Sequence, residues 1–415
     1  MQKFKSPKRN PLVIELCKYI LPIWLKNKEH LSIKVIGSET NLAKFSKCKR
    51  ALVLLNHPDR QDPFVVSQLA KQMHEDFNCI VARECFDWDG GWRGWLFQSL
   101  GCYSVARGKP DFHSVATTKK LLREAHRKLI VFPEAEITAD DNKVHDLHNA
   151  IFHIALSVQA EISAATTITL EEPVFIIPAA IKFSLDSELD VAVSNTLKAI
   201  ERKLGLKHGI DQNSYSRIAA VVNAYLTRVI DAYGFQKPEG TAGRLAEFAA
   251  TEILRKIART NNNNNNTDST GEISAIERLY ATRNQLPGNP SKLMSVAAIP
   301  NSFHCAGFQK PSLSSDLERV ERLLIMQRML EHSSSEIQSC RILDFIECEL
   351  FGVITAKGWQ SCVVEIGEPI AVSNFLHLFA ESKENGVECL SQHFKEKLQA
   401  MLNSTSLTMP ASSII

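Results

Sequence analysis

His57 and Asp62 stand five residues apart in "LLNHPDRQDPF", directly behind the apolar run "ALVLL". An imidazole with one ring nitrogen on a carboxylate is fixed in its tautomer, and its other nitrogen is then free to take a proton from a hydroxyl. An oxygen bared in this way attacks an electrophilic carbon. Taken alone, the spacing also has a plainer reading, in which Asp62 only caps a helix begun by Pro63 and His57 is a loop residue.

The elements that would carry these residues are short apolar runs alternating with helical stretches. "ALVLL" (51–55) is continuous, as in a strand covered on both faces, and "LSIKV" (31–35) alternates. "NCIVAR" around Ile80, "LIVFP" (129–133) and "VFIIPAAIKF" (174–183) supply further strands, and residues 63–73 and 114–128 read as helices between them. The pattern predicts an α/β fold, with a mostly parallel or mixed sheet flanked by helices and a large helical insertion or extension. Functional residues of such folds collect beyond the carboxyl ends of the strands. Asn56 and His57, "GCYSVARG" (101–108) and "VFPEAEIT" (131–138) are all placed at strand exits.

In that order, Asn56-His57 with Asp62, Arg107 beside a Gly-aromatic strand, Phe132-Pro133-Glu134, and a strand bearing Pro178 resemble the four blocks of the glycerolipid acyltransferases, the family of 1-acylglycerol-3-phosphate acyltransferase. The resemblance runs from about Leu31 to Phe183, and "CVVEIGEPIAV" (362–372) is similar to a further strand ending in Gly-Glu-Pro-Ile. It implies acyl transfer from acyl-CoA or acyl-carrier protein to a glycerolipid hydroxyl, first of all that of 1-acyl-sn-glycerol 3-phosphate. Glycerol 3-phosphate, another lysophospholipid, or a lipid-binding protein without turnover are the alternatives. By the same resemblance His57 is the catalytic base, Asp62 its orienting carboxylate and Arg107 the contact to the acceptor phosphate. Glu134 positions the acceptor or supports the site, and Asn56, Phe132 and Pro133 complete the substrate-binding set. No cofactor and no metal are implied beyond the acyl donor as co-substrate. Many members read Phe-Pro-Glu-Gly-Thr-Arg in the third block, where this chain has Ala135, Glu136 and Ile137. An isoleucine cannot clasp a phosphate as a guanidinium fork does, and Glu136 adds negative charge.

The whole-chain composition narrows the partners. With 48 basic and 46 acidic side chains among 415 residues the net charge is +2, which gives no ground for nucleic-acid binding. The ten cysteines form no CxxC pair and have no metal-ligand spacing, so they read as buried thiols in a reducing compartment. "PLVIELCKYILPIWLK" (11–26) holds Glu15, Lys18 and Pro22 and falls short of the roughly 20 apolar residues that span a bilayer. It reads either as a packing helix or as an interfacial anchor, and without an Ala-x-Ala-like cleavage site secretion is not expected. Trp88, Trp92 and Trp95 fall within eight positions; they are core packing, an acyl-chain lining, or a surface that enters lipid head groups. These readings place the protein in the cytoplasm, peripheral on the cytoplasmic face of a membrane.

The expected organisation is an N-terminal amphipathic segment (1–30), an acyltransferase core (31–187), a helical insertion (188–350) with an Asn-rich loop (261–270), and a C-terminal strand and helix (351–400). The last segment either completes the core sheet or forms a separate domain.

Overall fold

The computed structural model describes residues 3–165, 172–207, 213–260, 274–286, 294–297, 312–331 and 335–405. The Asn-rich loop lies outside them. The described residues form an eight-stranded sheet from β1 (Leu31–Ile36), β2 (Ala51–Leu55), β3 (Asn78–Ala82), β4 (Cys102–Val105), β5 (Leu129–Val131), β6 (Phe175–Leu185), β7 (Gln360–Ile366) and β8 (Ile370–Ala371). Their spatial order is β1-β7-β6-β2-β5-β3-β4, with β8 pairing antiparallel to β6. The late strand β7 thus lies between β1 and β6. β2 is parallel to both β5 and β6, and β3 is parallel to both β4 and β5. Chain segments leaving β2, β3, β4 and β5 therefore emerge on one edge. The fold is α/β, as its alternating pattern predicts.

Helices α1 (Pro11–Trp24), α2 (Glu39–Lys47), α3 (Asp62–Gln72), α4 (Trp92–Ser99), α5 (Phe112–Glu124) and α6 (Ala150–Ala165) alternate with the first strands. After β6 come α7 (Leu189–Leu204), α8 (Ser214–Ala232), α9 (Ala242–Thr260), α10 (Ala275–Gln285), α11 (Leu313–Glu331) and α12 (Glu336–Phe351), and α13 (Leu376–Glu381) and α14 (Lys383–Ser404) follow β8. Two compact units result. One comprises Lys3–Asn27, Leu31–Ser184 and Ser361–Ile415; the other holds Leu185–Gln360 with the short Lys28–His30 piece.

In the sheet unit every residue of β2 is buried, as its unbroken apolar run requires. Leu52, Leu54, Leu129 and Val131 pack with Phe152, Ala155 and Leu156 of α6 and with Phe394 and Leu398 of α14. Each fully buried side chain of this size contributes about 1.5–3 kcal/mol. Helix α5 stops four residues before its predicted end, because Ala125 turns into the left-handed region (φ 51°) with its N–H on Leu121. In the helical unit, buried charges are matched in groups. Tyr233 donates to Asp316 at 2.6 Å, Arg319 to Glu349 at 2.8 Å, and Lys357 to Glu347 at 2.8 Å. Such matching offsets the cost of taking those charges out of water.

Two surface features depend on local packing. Asn10 caps α1, accepting from Leu12 and Val13, and of the helix only Ile14 is buried. Leu12, Leu16, Tyr19, Ile20 and Ile23 form one exposed stripe at helical spacing, with Leu12 82 % exposed. On α4 the inward position is Gly94, pressed against the carbonyl of Phe86, so the bulky side chains point elsewhere. Trp88, Trp92 and Trp95 are exposed, the last at 59 %, which corrects the core-packing reading.

A β-carbon on residue 94 would stand 2.1 Å from the Phe86 oxygen. Gly94→Ala should therefore destabilise the protein by about 1–3 kcal/mol in chemical denaturation. An unaltered unfolding midpoint would show that α4 is not so tightly seated.

Candidate active site

The backbone leaves β2 at Leu55 and places Asn56, His57 and Asp62 within one turn at the carboxyl edge of the sheet. Nδ1 of His57 lies 2.6 Å from Oδ2 of Asp62, and the imidazole is 19 % exposed. Asp62 is fully buried, and the same oxygen also accepts the N–H of Asp59 at 3.1 Å. Asp62 was expected as the N-cap of α3. Instead it is the first residue of the helix, Gln61 holds the cap position, and no side chain caps there. The carboxylate is turned back towards His57 and has left the capping task. Burial pushes the Asp62 carboxyl up to about 6, against the opposing pull of its hydrogen bond from His57.

His57 is also held through its backbone. Its N–H donates to Oε2 of Glu134 at 2.7 Å, and its carbonyl accepts the N–H of Thr138 at 2.8 Å and the Thr138 hydroxyl at 3.3 Å. The other oxygen of Glu134 accepts the N–H of His145 at 2.8 Å. Glu134 is buried, and burial raises its carboxyl, opposed by these two N–H donors. With both oxygens on backbone amides, Glu134 braces the loops rather than facing an acceptor. Phe132 lies on the face of the His57 ring, with centroids 4.3 Å apart and planes inclined by 26°. The carbonyl of Pro133 accepts the N–H of His148 at 2.8 Å.

Asn56 departs from its expected substrate-binding place. Its amide donates to the carbonyl of Ile181 at 2.9 Å and accepts the N–H of Ile181 at 2.7 Å, fully buried. Leu55 pairs with Ala179 at the end of the β2–β6 ladder, and the Asn56 side chain extends that ladder by one step. Arg107 lies two residues past β4 and forms an ion pair with Glu84, two residues past β3.

This arrangement pairs an imidazole with a buried carboxylate on the sheet edge that also carries Arg107. Residues 33–182 match the acyltransferase family model. This stretch is thus similar to an acyltransferase domain. No curated protein matches the chain. The acyltransferase domain covers β1 to β6 and so includes every residue placed above except the loop's partners from later segments. Among those partners is Gln399 of α14, whose side chain accepts from Val144 at 2.9 Å and donates to Asn142 at 2.8 Å.

Sequence reasoning missed four contributors. Thr138 closes on the His57 carbonyl; His145 and Asp140 form a second imidazole–carboxylate pair at 3.1 Å; Glu84 meets Arg107. Asp140 is pushed up by burial, but its hydrogen bonds from His145 and Asn142 outweigh this and lower it overall. None of the four has a spacing that marks it, because each acts through a loop whose path is set by the sheet.

Ala135, at the position many relatives fill with glycine, has φ of 60°. An L-residue there is strained by about 1–2 kcal/mol, partly offset by glycine's greater freedom when unfolded. Ala135→Gly should raise stability by about 1 kcal/mol in urea titration. A lower midpoint would mean that the turn after Glu134 does not hold this conformation.

Proposed function

We propose that the protein is an O-acyltransferase that moves a fatty acyl group from the thioester of acyl-CoA or acyl-carrier protein to the hydroxyl of a phosphate-bearing glycerolipid. The observation that carries this reading is the 2.6 Å contact between His57 and Asp62, on an imidazole also held by its backbone at both ends. With Nδ1–H donated to Asp62, Nε2 takes the acceptor's proton. The oxygen attacks the thioester carbonyl, a C–O bond forms and the C–S bond breaks, and the proton on His57 passes to the departing thiolate. The acceptor oxygen is itself the nucleophile, so the residues require no acyl-enzyme. Arg107 supplies the contact for the acceptor's phosphate, and 1-acyl-sn-glycerol 3-phosphate is the acceptor the family resemblance implies first.

The lipid substrate gives the exposed apolar surface a role. Residues 8 and 10 bond the end of α4 (Lys8 N–H to Gln98 at 2.9 Å, Asn10 N–H to Ser99 at 2.8 Å), so the stripe of α1 and the tryptophans belong to adjoining elements. We read them together as a surface that enters the head-group region, with Trp24 and basic residues at the helix margins. No helix among the described residues is long and apolar enough to cross a membrane. The attachment in this reading is peripheral and on the cytoplasmic face, where the free cysteines would stay reduced.

His57→Gln should lower turnover by about 100-fold or more, and Asp62→Asn should also be severe, with both variants folded. Protonating Asp62 removes the acceptor for Nδ1–H. Wild-type kcat/KM should therefore fall as pH drops through about 6. A His57→Gln enzyme with near-normal turnover on all acceptors would sink the mechanism.

Membrane contact is better tested by substitution than by truncation. The chain before α1 is woven into the core, with Lys5 N–H on the Ser104 hydroxyl at 2.8 Å and Ser104 N–H on the Lys5 carbonyl at 3.0 Å. Leu16→Glu with Ile20→Glu should leave the melting temperature in place and reduce sedimentation with anionic vesicles, most clearly at low salt. Undiminished vesicle binding would show that the stripe does not meet lipid.

A further inference from the structure

The amino ends of the parallel strands border a cavity of about 420 Å³, on the edge of the sheet opposite His57. Lys49 stands two residues before β2, Lys128 directly before β5, and Glu75 in the turn between α3 and β3; all three line it. Helix α5 ends at the same place, where Ala125 turns left-handed and is followed by His126 and Arg127.

The charges around this cavity are unevenly matched. Lys128 is buried, ion-paired with Glu75 and set 4.9 Å from the ring centre of Phe45. Asp76 is taken by Arg9 and by Lys18, the latter at 3.0 Å. The carboxylate of Glu172 accepts the backbone N–H of Lys49 at 3.1 Å and not its ammonium. Among the described residues no carboxylate pairs with the side chain of Lys49 or of Arg127. Nor does the negative end of α5 serve them, because Arg50 covers the carbonyls of Leu122 and Arg123 at 3.1 Å each. Burial first, and then the like charge of Arg127, lowers the Arg9 guanidinium from its ordinary value.

Two cations without partners on one cavity call for an anion of matching charge. A phosphate monoester carries about −1.5 to −2 charges at neutral pH. It can give two oxygens to the Arg127 fork and a third to the Lys49 ammonium, whereas a carboxylate brings one charge for two cations. The volume falls within the roughly 300–1,000 Å³ of small-molecule sites, so the phosphate can enter with a small organic group attached.

We propose that this cavity is a second binding site of the protein, one for a phosphate monoester held by Arg127 and Lys49 and separate from the edge that carries His57. The phosphate is recognised in the same way whether it is free or borne by a lipid. The site stands independently of the acyltransferase reading.

The test is calorimetric titration with inorganic phosphate in chloride buffer. Wild type should bind, and the double variant Lys49→Gln with Arg127→Gln should bind about tenfold or more weakly, with its melting temperature in the absence of phosphate unchanged. Sedimentation with vesicles of phosphatidylcholine, with and without phosphatidate, separates the two sources. If the double variant loses phosphate binding alone, the ligand is a soluble phosphate; if it also loses the phosphatidate-dependent sedimentation, the ligand is lipid-borne; both results sustain the site. Phosphate should also slow modification of Arg127 by phenylglyoxal in the wild-type protein, mapped by peptide mass spectrometry, a readout that needs no variant to fold. A wild type that binds no phosphate, a double variant that binds it as tightly as wild type, or an Arg127 that phosphate leaves unprotected overturns the proposal.

Discussion

The carboxylate of Glu134 accepts two backbone amides from segments far apart in the chain, those of His57 and His145. The geometry of the site depends on this brace. It fixes where the chain turns after β2, and Thr138 completes the hold by closing on the His57 carbonyl. An imidazole whose main chain is tied at both ends can be aimed by a single side-chain contact, the one from Asp62. The brace is effective because it is buried. In the interior two N–H donors to one carboxylate are stronger than in water, and either amide left unmatched would be costly. The motif glutamate therefore acts here by fixing the loop that carries His57.

Burial has an opposite consequence for Asp62. Its ordinary value is about 4, and within the fold it is raised to about 6, so between those values the folded protein binds more protons than the unfolded chain. Stability from this group is thus lost as pH rises through that window, when the carboxyl must ionise inside the protein. The ionised form is the one that can accept from His57. The ionised pair is held at some expense of stability, which the surrounding core of β2, β5 and α6 offsets.

Around this rigid centre the same sheet edge presents a matched pair, Arg107 with Glu84, and the adjoining α1 and α4 present unmatched apolar side chains to solvent. The two features are complementary in kind. One holds its charges paired, and the other leaves apolar area in water. Gly94, by its lack of a side chain, lets α4 seat against Phe86.

The sequence by itself determined the class of fold and the identity of the chemical blocks. The continuous run of β2 reads as a covered strand, and strands followed by helices in an α/β fold place His57, Arg107 and Glu134 at strand exits. It did not determine what those residues touch. Asp62 reads equally well as a helix cap, Asn56 as a substrate ligand and Glu134 as an acceptor contact, because side-chain type and spacing are the same in each case. Helix α6, which covers the core, carries no short motif and was not distinguished. Whether β7 would join the first sheet was equally open, since a strand's partner is chosen across nearly two hundred residues of intervening chain. Tertiary structure decided these points for one physical reason. A hydrogen bond or ion pair between loops depends on the register of the strands that launch them, and that register is fixed only when the whole sheet is assembled. The pairing of Glu84 with Arg107 is the clearest instance: neither residue signals the other, and two parallel strands in register bring them together.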